Sequence, residues 1–172
     1  MSWFDRPFRL PPLALGVALL SGCNVGPMYG PLALNPALVG DLQAIDVAPI
    51  PDRLGHYVRN ELIFDFNGTG ATVAPRYRLF VTLKEQVRTP IIDTVTSRAT
   101  SATVVVDAQY KLVTIPDETT VTEGVAFNIA SYDRFSNRLA NVRAARDAEA
   151  RDARTIADAI RTRIAAALTD RK

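Results

Sequence analysis

The stretch ATVVVDAQYKLV, residues 102–113, carries the clearest structural signal in the chain. Every second residue from 104 to 112 is apolar, namely Val104, Val106, Ala108, Tyr110 and Leu112. From residue 107 onward, the residues between them are polar or charged. A period of two is that of a β-strand with one buried face. β-Forming residues continue back to residue 91, so the segment 91–113 is long enough for one bent strand or for two.

Three further segments predict strands: residues 42–50, 76–88 and 119–131. Their alternating apolar residues include Leu79, Val81 and Leu83 in the second segment, and Val125, Phe127 and Ile129 in the third. A turn at residues 115–118 separates the last strand from the stretch above. We expect each strand to direct its apolar face to a common core. The other face of the sheet is then polar, with Phe80 and Val105 among its side chains.

Two segments have a helical period instead. In residues 53–66 the apolar positions recur every four residues, with Asp52 placed to cap the helix and Asn67-Gly68 to end it. In residues 136–169 the apolar stripe consists of Leu139, Val142, Ala145, Ala153, Ile156, Ile160, Ile164 and Ala167. Arg146 and Glu149 interrupt that stripe. They either pair with each other or mark the point where the helix runs past the core.

The order of elements predicts the architecture. One strand, one helix, three strands and a long helix each present a single apolar face. Both helices can bury their stripes on the same side of the sheet, with the first helix connecting two strands. The sequence therefore predicts an α/β (α+β) fold, a two-layer sandwich of two helices on one face of a four-stranded mixed sheet.

The N-terminal part of the chain differs in composition from the rest. Arg6 and Arg9 precede an uncharged segment at residues 10–20, and the small residues Ser21 and Gly22 follow. This order is typical of a secretory signal peptide, since eleven helical residues reach only about 16 Å across a hydrocarbon core of about 30 Å. We expect a signal peptide at 1–22, a tether rich in Pro and Gly at 23–40, and one domain at 41–172.

Charge is nearly balanced overall but unevenly distributed. The whole chain has 20 basic and 18 acidic residues, which argues against bulk nucleic-acid binding. Residues 134–172 contain ten basic and five acidic residues, whereas residues 23–133 contain eight and twelve. Two interpretations of the basic C-terminal element stay open. It faces an anionic membrane or ligand, or it is a solvated helix face with ion pairs.

The sequence offers little for catalysis. His56 is the one histidine, and a Ser-His-Asp site would have to use it, yet no nucleophile elbow or oxyanion loop accompanies it. We interpret His56 as a residue of the helix surface. Neither a Walker loop nor a GxGxxG motif occurs. The sequence therefore predicts a binding or structural protein without enzyme activity, catalytic residues, metal or dissociable cofactor.

The one cysteine has an informative setting. Leu20-Ser21-Gly22-Cys23 resembles the lipobox of bacterial lipoproteins. That resemblance implies a diacylglycerol on Cys23, cleavage before it, and an N-acyl chain on the new terminus. Two or three acyl chains make a stable anchor where one does not. Asn24, in place of the aspartate that signals inner-membrane retention in enteric bacteria, favours the outer membrane. The alternative is a secreted protein with an incidental cysteine.

Several segments in order resemble the LptE family of lipopolysaccharide-assembly lipoproteins, in its alphaproteobacterial form. They are GCNVGPMYG (22–30), IDVAPIPDRLGHYVRNELIFDF (45–66), DTVTSRAT (93–100), AQYKL (108–112), GVAFNIASYDR (124–134) and DARTIADAIRTRIAAAL (152–168). Val25-Gly26 departs from the family, which commonly has an aromatic and a basic residue there. The departure concerns the packing of the tether.

The resemblance implies a plug inside the outer-membrane β-barrel LptD, which assists assembly of that barrel and binds lipopolysaccharide in transit. Lipopolysaccharide is anionic through its phosphates, so basic side chains near a strand end are its expected contacts. Lys84, Arg88 and Arg98 are the candidates, with a solvated hairpin as the plain alternative. A free-standing envelope scaffold or lipid-carrying lipoprotein without a barrel partner is the alternative function.

Overall fold

The computed structural model describes residues 36–171, apart from residues 69, 71, 90–91 and 94–97 and the side chains of 92–93 and 98–99. In these residues the helices are α1 (Pro36–Gln43), α2 (Asp52–Asn67) and α3 (Arg138–Thr169). The strands are β1 (Ile45–Val47), β2 (Tyr77–Arg88), β3 (Ile92–Asp93), β4 (Arg98–Ala99), β5 (Ser101–Thr114) and β6 (Thr120–Asp133). The predicted α+β fold is confirmed.

Four strands form a mixed sheet in the order β1-β2-β5-β6. β1 runs parallel to β2, and α2 forms the crossover between them, as predicted. β2, β5 and β6 are antiparallel neighbours, with Val81 opposite Tyr110 and Ala108 opposite Ala126. β3 and β4 pair with each other beyond the end of β2, so the segment 91–113 resolves into short pieces followed by one long strand.

The core lies between one face of the sheet and the two long helices. Leu62 of α2 and Ile156 and Ile160 of α3 are fully buried in one cluster with Leu79 and Leu112 of the sheet. Truncating a buried leucine or isoleucine to alanine costs about 2–5 kcal/mol. The alanines of α3, including Ala148, Ala153 and Ala157, are buried too, and their small side chains let the helix lie close to its neighbours.

The N-terminal part of the domain differs from its prediction. Residues 36–43 are helical, and the strand predicted over 42–50 is reduced to Ile45–Val47. Leu42 is buried, and Arg76 donates to Gly40 O and to Asp41 Oδ1, so tertiary contacts stabilise a helix that local pattern did not show. The boundary between tether and domain at residue 40 stays a prediction, since residues 1–35 lie outside the described part.

The two long helices begin differently. Asn137 caps α3, because its Oδ1 accepts from Leu139 N and Ala140 N at 2.9 and 3.2 Å. α2 follows Pro51 without a side-chain cap, and Asp52, at φ 67°, is its first residue rather than its cap. The predicted cap was therefore wrong. Among the described residues, no helix combines the length and apolarity needed to cross a bilayer.

Candidate functional site

One face of the sheet carries no helix in the described part of the chain. We call it the open face, formed by the outward side chains of β2, β5 and β6. Its cross-strand rows are Phe80–Lys111–Glu123, Thr82–Gln109–Val125, Lys84–Asp107–Phe127, Gln86–Val105–Ile129 and Arg88–Thr103–Ser131. Phe80 is exposed on this face and Val105 is buried within it, at 46% and 8% exposure. The face is therefore mixed in charge and partly apolar.

The apolar side chains of β6 point to this face and not to the core. Val125, Phe127 and Ile129 are 51%, 57% and 51% exposed. The residues directed to the helices are Ala126 and Ala130, both buried, with half-buried Asn128 between them. The expectation that the apolar alternation of this strand faces the core was wrong. α3 lies close over β6, and small side chains leave room for that approach.

β6 is also the edge strand of the sheet, and α3 covers part of its outer edge. Arg163 Nη1 donates to Val125 O, and Arg151 Nη2 donates to Ser131 O at 3.3 Å. Exposed strand edges invite pairing with other chains, and charged groups placed there oppose it. The two arginines restrict edge pairing at these carbonyls and leave the exposed apolar stripe accessible.

A shallow groove of about 510 Å³ lies across the open face near the start of β6. Phe80, Lys111, Glu123 and Val125 are among its walls. Gly124 also lines the groove, and a side chain there would place its Cβ 2.8 Å from the hydroxyl of Tyr110. The glycine at this position therefore accommodates Tyr110.

The predicted lipopolysaccharide contacts are brought together only in part. Lys84 and Arg88 are both exposed on β2 and share the open face. Lys84 is opposite Asp107, and Arg88 Nη2 donates to Gln86 Oε1 at 3.0 Å. Arg98 lies in β4, with its backbone opposite Asp93 and its side chain outside the described atoms. Cys23 lies outside the described residues.

The one histidine of the chain lies on the surface of α2. His56 is exposed on α2, and its Nε2 is 3.1 Å from Asn60 Nδ2. This matches the interpretation of His56 as a surface residue. Within the described part of the chain, no group of three or more His, Cys, Asp or Glu residues is placed to hold a metal ion.

Buried carboxylates fix α3 to the rest of the domain. Arg53 on α2 binds Glu149 with two bonds of 2.5 and 2.7 Å, and this hydrogen bonding raises the pKa of the guanidinium. Glu149 therefore pairs with Arg53 and not with Arg146. Its burial shows that the core begins there and that the preceding turns run past it. Burial also raises the pKa of Glu85, and the nearby Glu149 carboxylate adds to the effect.

Asp152 is completely buried between α3 and the sheet. Its Oδ1 accepts from Asn128 Nδ2 at 2.6 Å, and its Oδ2 has no hydrogen-bond partner among the described residues. Burial raises the pKa of this carboxyl, while the Asn128 hydrogen bond acts in the opposite direction. The pair joins the inward face of β6 to α3.

Sequence reasoning missed the exposed stripe Val125, Phe127 and Ile129 as a candidate interaction surface. The alternation locates the strand but does not say which of its faces is buried. The sequence does contain a signal for the buried face, namely the small side chains on the other face of the strand. Ala126, Asn128 and Ala130 match an alanine-rich helix in size, and Asn128 offers a partner to an acidic side chain.

A protein-family comparison matches residues 42–164 to the family LptE, described as lipopolysaccharide-assembly. The matched segment covers most of the sheet and of its helical layer. No curated protein sequence matches the chain.

Three solved structures are similar in fold. A candidate lipoprotein of Caulobacter crescentus CB15 is 18% identical with a TM-score of 0.63, over 77% of this chain and 96% of the other. Rare lipoprotein B of Shewanella oneidensis is 12% identical with a TM-score of 0.54, over 73% and 96%. A minor lipoprotein of Acinetobacter baumannii is 9% identical with a TM-score of 0.52, over 71% and 90%. At these identities the likeness concerns the fold.

Proposed function

The chain belongs to the LptE family of lipopolysaccharide-assembly proteins, which are non-enzymatic envelope lipoproteins, and from this premise we propose that it is the plug and assembly factor of the outer-membrane barrel LptD. It binds lipopolysaccharide while that lipid is inserted into the outer leaflet. The observation that carries the proposal is the family match over residues 42–164. A small non-enzymatic lipoprotein of this family acts by binding, and the exposed apolar and charged side chains of the open face are available for such binding.

The composition of the open face favours burial against a protein partner. Val125, Phe127 and Ile129 each leave about half of their surface in water, and burying apolar surface contributes about 25 cal/mol per Å². The lumen of an outer-membrane barrel is polar. The charged side chains around the stripe, such as Lys84 opposite Asp107, can pair with polar side chains of the lumen wall. The stripe itself adds apolar contact area.

Lipopolysaccharide binding is proposed for the basic side chains of β2. Lys84 and Arg88 lie four residues apart on one face, a spacing of about 13 Å along a strand. At that distance they contact separate anionic groups and do not clamp a single phosphate. Arg98 completes the proposed set, on the strength of its place in the hairpin that follows β2.

Charge reversal tests this lipid site. Lys84→Glu, Arg88→Glu and Arg98→Glu together weaken binding of purified lipopolysaccharide by about tenfold or more, because charge-assisted contacts to phosphate become repulsive. Lys111→Glu, an equal change of one charge on the same face but on β5, is the control for each of the three single substitutions. Unchanged affinity of the triple variant in a direct binding assay removes the three residues from the site.

The anchor is proposed for Cys23 and places the protein at the outer membrane, facing the periplasm or the barrel lumen. Mass spectrometry of the mature protein then finds a terminal peptide that begins at Cys23 and carries a diacylglyceryl group and an N-acyl chain. A Cys23→Ser variant carries neither lipid group. An unmodified cysteine in the mature protein contradicts the anchor.

The plug role is tested by affinity purification from detergent-solubilised outer membrane, with mass spectrometry of the proteins recovered. LptD in equal amount supports the plug. A lipoprotein recovered alone, or from the inner membrane, supports the free-standing scaffold or lipid carrier instead.

A further inference from the structure

The first turns of α3 lie beyond the core. Residues 138–147 contain no buried side chain, and Ala148 is the first buried residue of this helix. Leu139 and Val142 are 58% and 40% exposed, and Phe135, just before the helix, is 63% exposed. Together with the arginines described next, these three side chains form what we call the basic tip, residues 134–146.

The charge of the basic tip has a single sign. Its charged residues are Arg134, Arg138, Arg143 and Arg146, and it contains no acidic residue. None of the four makes an ion pair or side-chain hydrogen bond with another described residue. Further along the same helix the pattern changes, since Arg151 pairs with Asp147 and Arg154 with Glu61. The interpretation of the basic C-terminal element as a solvated helix face with ion pairs therefore holds for the middle of α3. It does not hold for the basic tip.

The backbone of the tip is held by side-chain hydrogen bonds. Asn141 Oδ1 accepts from Phe135 N at 2.7 Å, and Asn141 Nδ2 donates to Phe135 O at 2.8 Å. Asn137 caps the first turn at the same time. The backbone that carries Phe135 is thus fixed to the helix that carries Leu139. A surface ordered before binding loses less conformational entropy when it binds.

The tip is at the far end of the domain from the point where the described chain begins. α1 lies beside the start of β2, where Arg76 binds Asp41. The tip follows Asp133, which pairs with Ser101 close to the end of β2, where Arg88 is opposite Thr103. A helix of 32 residues is about 48 Å long. The tip and α1 therefore lie near opposite ends of β2.

We propose that the basic tip docks on an acidic, partly apolar stretch of the lumen wall of the barrel partner. This inference rests on the proposed function and names a surface through which the chain contacts that partner. Arginine forms strong hydrogen bonds with carboxylates when water is excluded, and a wall lined by polar side chains supplies them. Phe135, Leu139 and Val142 form the apolar centre of the contact, with the arginines around it.

Photo-crosslinking in cells tests the tip directly. Leu139 in the full chain is replaced by the photoreactive amino acid p-benzoylphenylalanine, and the irradiated products are identified by mass spectrometry. The expected product joins position 139 to a lumen-facing strand of LptD. Arg143→Glu lowers its yield about tenfold, because an attraction to carboxylates becomes a repulsion. Arg171→Glu, an equal charge change just past the other end of α3, leaves the yield unchanged.

The other outcomes overturn the proposal in distinguishable ways. If the equimolar complex with LptD is isolated but position 139 gives no adduct with it, the tip is not the docking surface and the plug role is unaffected. If no complex is isolated, the plug role fails and the tip proposal fails with it. If position 139 joins to lipopolysaccharide or phospholipid, the tip contacts lipid and not the barrel wall.

Discussion

Asp152 is a single buried carboxyl at the junction of α3 and β6, and its chemistry predicts a pH dependence. One oxygen accepts from Asn128 and the other has no hydrogen-bond partner among the described residues. Burial raises the pKa of this group in the folded protein. Folding therefore takes up a proton between the ordinary and the raised pKa, and stability falls as the pH rises through that window. Above that window the carboxyl is ionised in both states, and its burial lowers the free energy of unfolding by an amount that no longer changes with pH.

Asp152→Asn removes this cost and keeps an oxygen for the Asn128 amide. We expect the variant to be more stable than the parent at pH 7, by about 1 kcal/mol, because a neutral amide avoids the desolvation cost of the ionised carboxylate, although its Nδ2 takes the place of the unpartnered oxygen. The difference shrinks as the pH falls toward 4. Urea unfolding at several pH values measures it, with the exposed Asp117 changed to Asn as control. A variant less stable than the parent at pH 7 contradicts the account.

Gly124 and Tyr110 make a second prediction at the scale of single residues. A Cβ at position 124 lies 2.8 Å from the Tyr110 hydroxyl, and Tyr110 is only 5% exposed. Gly124→Ala therefore costs about 1–3 kcal/mol through crowding. Tyr110→Phe removes the nearest atom, so Gly124→Ala costs less in that background. Thermal unfolding of the single and double variants measures the coupling, and additive costs contradict the contact.

At the scale of elements, β6 shows what a sequence pattern reveals and what it leaves open. Alternation located the strand, and the helical stripe located α3, because a period of two indicates a strand and a period of 3.6 indicates a helix. The buried face of β6 depends on its neighbour instead. Alanines on α3 allow a close approach that Phe127 would block, and Ala126 and Ala130 fit beneath the helix. The tighter packing of small residues outweighed the larger apolar area of the other face.

The outward orientation of β6 predicts that its apolar stripe contributes little to folding. Phe127→Thr keeps a β-forming side chain and changes the free energy of unfolding by less than about 0.5 kcal/mol, as at exposed sites. Ile160→Ala, at a fully buried site, costs about 2–5 kcal/mol. Urea denaturation of both variants compares them. A cost for Phe127→Thr close to that of Ile160→Ala contradicts this orientation of the strand.

For the whole molecule, the layered fold and the crossover followed from the sequence, because hydrophobic periods and turn residues are local properties. α1 did not, since it depends on the contact of Asp41 with Arg76, 35 residues away. The candidate site was predicted in part. Lys84 and Arg88 do share one face, but the exposed stripe and the basic tip emerge only when the extents of sheet and helix are compared.

The central claim is that the open face is covered by the barrel partner, and solvent accessibility in the complex tests it most directly. Phe127→Cys is reacted with a maleimide in the isolated protein and in the purified complex with LptD. Asp170→Cys, exposed at the C-terminal end of α3, is the control, and the parent chain reports any reaction at Cys23. We predict that the complex slows modification at 127 at least about tenfold and leaves 170 unchanged. Equal rates at 127 in the two states contradict the claim.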